Sequence, residues 1–265
     1  MTQSRPVSAS RILVTNDDGI NAPGLAVLEE IARSLSDDVW IVAPESEKSG
    51  AGHSLTLTVP IRLRKLDERR FAVQGTPTDC VMMAVHHIMK DTQPTLVLSG
   101  VNRGGNLAED VTYSGTIAAA MEGTLAGIPS VALSQALRPP ERTKWQTAKA
   151  YAAQVIEGLI ETGGWPDGTL INVNFPPCEP EDVKGIRATE QGRRDLGGLR
   201  IDARTDPRGF DYFWFGLANR SVQSPGQETD LHFVRENWVS VTPLHLDLTD
   251  RAMLKTLDAR LERAF

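Results

Sequence analysis

The sequence predicts an α/β fold, a Rossmann-like, doubly wound and mostly parallel sheet with carboxyl-terminal β-hairpin and helix extensions that serve oligomerisation. Three observations carry that expectation. Short branched runs such as Ile12–Val14, Val39–Ala43, Leu96–Leu98 and Val131–Leu133 are wholly apolar, as strands buried on both faces of a parallel sheet are. Between them, apolar residues recur at helical spacing, with Leu25, Leu28, Ile31, Ala32 and Leu35 as the clearest set. Strand, loop and helix alternate four times, which is the order of a doubly wound sheet.

In chain order, Ile12–Val14 ends in Asp17-Asp18-Gly19 and gives way to the first helix, so the two carboxylates stand at the carboxyl edge of the sheet, where ligands of such folds bind. The second strand, Val39–Ala43, closes at Pro44 and is followed by a polar loop, 45–53, with Gly50 and Gly52. Segments 54–59, 61–66 and 71–73 alternate apolar and polar residues and read as an antiparallel excursion outside the main sheet. Thr76, Pro77 and Asp79 have the spacing of a capping box with proline at the first helical position, opening a helix to about Met89. After the strand at Leu96–Ser99 comes a loop with Asn102, Gly104, Gly105 and Asn106. Ser114-Gly115-Thr116 then opens an Ala-rich helix.

Further on, a helix over about 145–160 and a strand over 170–176 complete the core. Between Val183 and Gln227 the composition turns to Arg, Asp and Gly with the aromatic run Phe210 to Phe215, which reads as hairpin arms unable to bury their aromatics alone. A last strand over 236–243 and a helix over 249–263 close the chain. The expected organisation is a disordered tail, 1–10, a catalytic core, 11–182, and a carboxyl-terminal oligomerisation segment, 183–265.

Bulk properties narrow the function. A formal charge of -6 and a pI near 5.4 argue against a broad nucleic-acid face. Cys80 and Cys178 are too few and too separated for a disulfide framework or a zinc motif. The polar start lacks the apolar core of a signal peptide, and no window suits a membrane span. A soluble cytoplasmic protein is expected.

Chemistry centres on Asp17 and Asp18. Asp-Asp-Gly is ordinary turn chemistry, yet two adjacent carboxylates in a confined turn repel unless a cation or donor groups stabilise them. Ser49 and the asparagines Asn102 and Asn106 arrive at the same edge; each alone reads as a loop or turn residue. Together they make an all-oxygen set suited to Mg²⁺ or Mn²⁺. Ser114, Gly115 and Thr116 at a helix start either cap the helix or offer amides to an anion. His53 reads as a proton donor, a phosphate ligand or a polar loop residue, and His86 and His87 as surface or packed residues. Walker-type and GxGxxG motifs are absent.

Six ordered motifs resemble the SurE survival-protein family: Thr15-Asn16-Asp17-Asp18-Gly19 with Ala22-Pro23-Gly24; Val42-Ala43-Pro44 with Ser49-Gly50; Ser54-Leu55-Thr56; Gly75 to Cys80; Ser99-Gly100-Val101-Asn102 with Gly104 and Asn106; and Tyr113-Ser114-Gly115-Thr116. Asn172-Val173-Asn174 and Val239 to Leu244 extend the match. The resemblance implies a metal-dependent 5′-nucleotidase acting on nucleoside monophosphates, in some members also on 3′-nucleotides or polyphosphate. It implies Asp17, Asp18, Ser49 and Asn102 as the ligands of one divalent cation per subunit, and a homodimer or homotetramer with exchanged carboxyl-terminal arms. In the hydrolysis so implied, Asp17 or Asp18 orients or deprotonates the water, while Asn106 and the amides of 114–116 stabilise phosphoryl charge; Asp17 as covalent nucleophile is the alternative. The competing readings are a non-catalytic nucleotide-binding or scaffolding module with a structural cation, and a sugar-nucleotide transferase.

Overall fold

Strand β1 (Arg11–Thr15) lies inside a sheet that has nine strands among the described residues, in the order β3 (Leu63–Asp67), β4 (Arg70–Val73), β2 (Asp38–Pro44), β1, β5 (Leu96–Arg103), β6 (Ser130–Gln135), β7 (Thr169–Phe175), β11 (Trp238–His245) and β8 (Gly185–Ala188). Its neighbours are β2 (Asp38–Pro44) and β5 (Leu96–Arg103), both parallel to it. Beyond them β4 (Arg70–Val73), β6 (Ser130–Gln135) and β7 (Thr169–Phe175) continue the parallel array. The antiparallel pairings are β3 (Leu63–Asp67) on β4 and β11 (Trp238–His245) on β7, with β8 (Gly185–Ala188) parallel to β11 at the edge. The computed structural model describes residues 7–161, 163–193, 199–217 and 228–261.

Helices cover both faces. On one side α1 (Pro23–Leu35) and α4 (Trp145–Glu161) bury Leu25, Leu28, Ile31 and Ile156 against Ile12 and Val14. On the other, α2 (Pro77–Met83), extended by a π turn over Ala84–Ile88, and α3 (Gly115–Leu125) put Cys80, Val81 and Ala119 against Leu13 and Val97. Leu13 and its neighbours Ile12 and Val14 thus serve opposite faces, and all three are fully buried, which is why no polar alternation marks this strand. The chain leaves β1 for β2 on one flank and later enters β5 on the other, so a crevice opens beyond the carboxyl ends of β1 and β5.

Three expectations change. The excursion over 54–73 does not lie outside the main sheet: residues 54–59 form no strand, while β4 pairs with β2 and buries Phe71, Ala72 and Val73, because the outer edge of β2 offers unpaired backbone groups that a parallel strand satisfies. Within the tail assigned to 1–10, Val7–Ala9 form a 3-10 turn with Val7 and Ser10 buried, whereas 1–6 lie outside the described residues. Segment 183–265 divides, since β8 and β11 join the main sheet and only β9 (Leu199–Thr205) and β10 (Asp211–Leu217) form a separate hairpin. Residues 194–198 and 218–227 of the expected arm, and 262–263 of the closing helix, lie outside the described residues. The closing helix α6 (Arg251–Leu261) buries no residue. A short helix, α5 (Asp230–Arg235), precedes β11.

Candidate metal and phosphate site

Asn16 makes the turn that presents the two carboxylates. Its side-chain amide donates to the Gly19 carbonyl at 3.0 Å and its oxygen accepts the Gly19 N–H at 3.2 Å, bracketing Asp17 and Asp18 in a side-chain-closed turn. Gly19 adopts φ +102°, and a Cβ there would stand 3.2 Å from the Ser46 carbonyl carbon, so the turn needs glycine. Two further segments are tied to it through backbone groups. Lys48 N–H donates to the Asp17 carbonyl at 2.8 Å, and Arg103 N–H donates to Asp18 Oδ2 at 3.2 Å. These bonds bring the loop carrying Ser49 and the end of β5, which carries Asn102 rather than the loop expected there, to the carboxylates.

The start of α3 closes the site from the opposite face. Thr116 Oγ1 donates to Asp17 Oδ1 at 2.6 Å, and a Cβ on Gly115 would fall 2.8 Å from Asp17 Cβ and 3.0 Å from Pro77 Cγ. Ser114 caps the helix, its Oγ accepting the Ile117 N–H at 3.1 Å. Ser114 and Thr116 hydroxyls are therefore engaged within the protein, one by the helix and one by Asp17.

Ser49 Oγ donates to Glu47 Oε1 at 2.8 Å, which leaves the hydroxyl lone pairs as acceptors. Asn102 Nδ2 donates to the Gly104 carbonyl at 2.8 Å, leaving Oδ1 as that side chain's acceptor. Burial pushes the Asp17 carboxyl above the ordinary range, with the Thr116 bond pulling the other way and Asp18 adding repulsion. Burial likewise raises Asp18, opposed by the Arg103 N–H and helped by Glu47. Among the described residues neither carboxylate is ion-paired with a lysine or arginine. Two neighbouring carboxylates, Asp17 buried and Asp18 half-buried, with amide and hydroxyl oxygens beside them and no lysine or arginine ion-paired to either among the described residues, fit a hard divalent cation. Among the described residues no group of three or more His, Cys, Asp or Glu side chains is placed to hold a metal ion; half of the donor set here is amide and hydroxyl.

Asn106 sits in a different environment. It is 6 % exposed, its N–H donates to Asn174 Oδ1 at 2.8 Å, and its carbonyl accepts from Asn172 Nδ2 at 2.8 Å and Asn174 Nδ2 at 3.1 Å. Its Nδ2 donates to Ser134 Oγ at 2.8 Å and keeps a second hydrogen. His53 Nε2 meets Glu122 Oε2 at 3.0 Å, away from the carboxylate pair's own bonds, and His86 and His87 are exposed.

Sequence reasoning left four supporting residues without a role at the site. Asn16 could have been read from its place before Asp-Asp-Gly. Asn172 and Asn174, two apart on a buried strand, share a face and mark a polar ladder. Asp79 does more than cap α2: it also accepts from Thr56 N–H at 3.0 Å and Thr56 Oγ1 at 2.6 Å, anchoring the far end of the Ser49 loop.

The family model described as Survival protein SurE matches residues 12–197. The "5'-nucleotidase SurE" of Methylorubrum extorquens (strain PA1) is 60% identical over 246 residues, 92% of this chain and 96% of that protein. The protein of the same name from Rhizorhabdus wittichii is 58% identical over 252 residues, 94% of this chain and 98% of the relative. The crystal structure of the Sure protein from Aquifex aeolicus aligns with a TM-score of 0.79 at 39% identity, covering 94% of this chain and 98% of that one.

Proposed function

The chain belongs to the SurE survival-protein family, and on that premise we propose that it is a 5′-nucleotidase, a phosphomonoesterase that hydrolyses nucleoside monophosphates to nucleoside and phosphate. We assign it one divalent cation per subunit, Mg²⁺ or Mn²⁺, held by Asp17, Asp18, Ser49 and Asn102. The observation that carries this reading is the Asp17–Asp18 pair, Asp17 buried and clamped by Thr116, Asp18 half-buried, with neither ion-paired to a lysine or arginine among the described residues. A divalent cation in such a site lowers the pKa of water and draws charge from a phosphoryl oxygen.

The remaining roles fall to this chain's own groups. Water would add to phosphorus in line with the departing ester oxygen as the P–O ester bond breaks, its proton passing to a carboxylate and from there to the departing nucleoside oxygen, which leaves as the alcohol. Asp18 suits that acceptor role, being the more exposed of the two, whereas Asp17 is held in one orientation by Thr116 Oγ1. The N–H groups of Gly115 and Thr116, in the first turn of α3, and the second Asn106 Nδ2 hydrogen suit the phosphoryl oxygens. Exposed aromatics of the hairpin, Phe213 at 57% and Trp214 at 60%, together with the unburied α6, support a homodimer or homotetramer.

Phosphate release from AMP, GMP or an aryl phosphate tests the reading. Activity should vanish with EDTA and return with Mn²⁺ or Mg²⁺; turnover indifferent to chelation would defeat it, and binding without turnover would favour the scaffolding alternative. A trapped aspartyl phosphate would replace direct water attack by Asp17 nucleophilic catalysis.

A further inference from the structure

The loop after β5, which carries Asn106, is gripped a second time, from the far end of the chain. Ala108 has φ +52°, a left-handed conformation that a residue with a Cβ disfavours. Both of its backbone polar groups are taken by side chains that flank the hairpin segment. The N–H donates to Asp230 Oδ2 at 2.8 Å, and the carbonyl accepts from Gln191 Nε2 at 3.0 Å. Leu107 and Ala108 also pack with Leu231 and Val234 of α5 in one apolar cluster.

Asp230 is fully buried and works in two directions. Its Oδ1 accepts the Gly192 and Leu231 N–H groups at 2.8 and 2.7 Å, and its own N–H donates to the Glu190 carbonyl at 2.9 Å. Glu190 N–H in turn donates to the Glu228 carbonyl at 3.1 Å, and Glu190 bridges Thr229. One carboxylate oxygen therefore closes the root from which the arm departs and returns, while the other holds the loop two residues beyond Asn106.

We propose that Asp230 is a positioning residue of the phosphomonoesterase centre: from the root of the arm it holds the left-handed turn at Ala108 and so sets where Asn106 is presented. The inference rests on the nucleotidase reading. It touches no substrate, and its effect passes through the 106–108 backbone, with Asn174 fixing the other side of Asn106.

Asp230→Asn tests it selectively. An asparagine has one acceptor oxygen, which serves best on the Oδ1 side where two N–H groups converge; its NH₂ then faces the Ala108 N–H, donor against donor. The arm root stays closed and the loop is released. For the metal-loaded variant with AMP, kcat should fall about 10- to 100-fold with little change in KM, as for a small misplacement of a group acting in the transition state. Amide exchange should accelerate in a peptide covering 104–112 and hold steady in one covering 186–193. Gln191→Ala, which removes the weaker grip, should give a smaller change of the same sign. An unchanged kcat, or a loss matched by a fall in folded fraction or by equal loosening of both peptides, overturns the proposal. If the wild-type chain releases no phosphate from AMP, the nucleotidase reading fails, and the exchange contrast still decides whether Asp230 holds the loop.

Discussion

The turn after β1 and the hairpin β9–β10 invert the usual distribution of residues in opposite senses. At the turn, Asn16 and Asp17 are buried; at the hairpin, Phe210 is 70% exposed and Phe215 72%. Burying carboxylates and exposing aromatics are both unfavourable for an isolated chain. The inversions differ in how far the chain itself compensates. The turn is held by bonds from Gly19, Lys48, Arg103 and Thr116, so only charge is left uncompensated. The hairpin pairs its two strands with each other, and its aromatic side chains stay exposed among the described residues. A preorganised polar site suits the proposed ion, and an exposed apolar face suits the proposed second copy.

That contrast breaks first at Asp18. Asp18→Asn should lower phosphate release from AMP on the order of a thousandfold, within the loss seen when one stabilising group is taken from a charge-developing centre, with the metal-free melting temperature unchanged or raised. An unfolded variant would instead make the turn a structural element, which circular dichroism decides. Gly115→Ala comes next, because its Cβ would sit 2.8 Å from Asp17 Cβ; activity should fall about 10- to 100-fold and stability by roughly 1–3 kcal/mol from overpacking, read by kinetics and denaturant titration.

The hairpin side is sharpened by Trp214→Ser with Phe215→Ser. Sedimentation should show a smaller assembly with the fold of each chain retained; an unchanged mass would clear the hairpin of any interface role. The subtlest expected signal is in pH. Folding raises the pKa values of Asp17 and Asp18, so the metal-free fold binds protons more tightly than the unfolded chain. Its stability should therefore rise as pH falls from neutral through the raised values, and be lost again as pH rises through them. Saturating Mn²⁺ should flatten that dependence and raise stability at neutral pH by about 2.7 kcal/mol at a hundred times the dissociation constant. A melting temperature blind to both pH and Mn²⁺ would remove the electrostatic account of the turn.

Several features were legible without coordinates because they depend on local periodicity. The buried strands, the α1 stripe and the Thr76–Asp79 capping box follow from spacing and residue type, and the fold has all of them. The capping box was readable in full, but Asp79's hold on Thr56 was not, since 23 residues separate the pair. The excursion over 54–73 was misplaced for a related reason: whether an alternating segment becomes a strand, as 70–73 does and 54–59 does not, and on which edge it pairs, depends on the neighbours the fold supplies.

By itself the chain's order of apolar runs, glycines and caps determined the sheet class, the carboxyl-edge position of Asp17 and Asp18, and the loops that would meet them. Tertiary structure alone decided that Thr116 holds Asp17, that Asn172 and Asn174 hold Asn106, and that Asp230 reaches Ala108 across 122 positions. The division has a physical cause. Propensity and amphipathic spacing act over a few residues, whereas a buried polar atom takes whichever partner the packed fold brings within hydrogen-bonding distance.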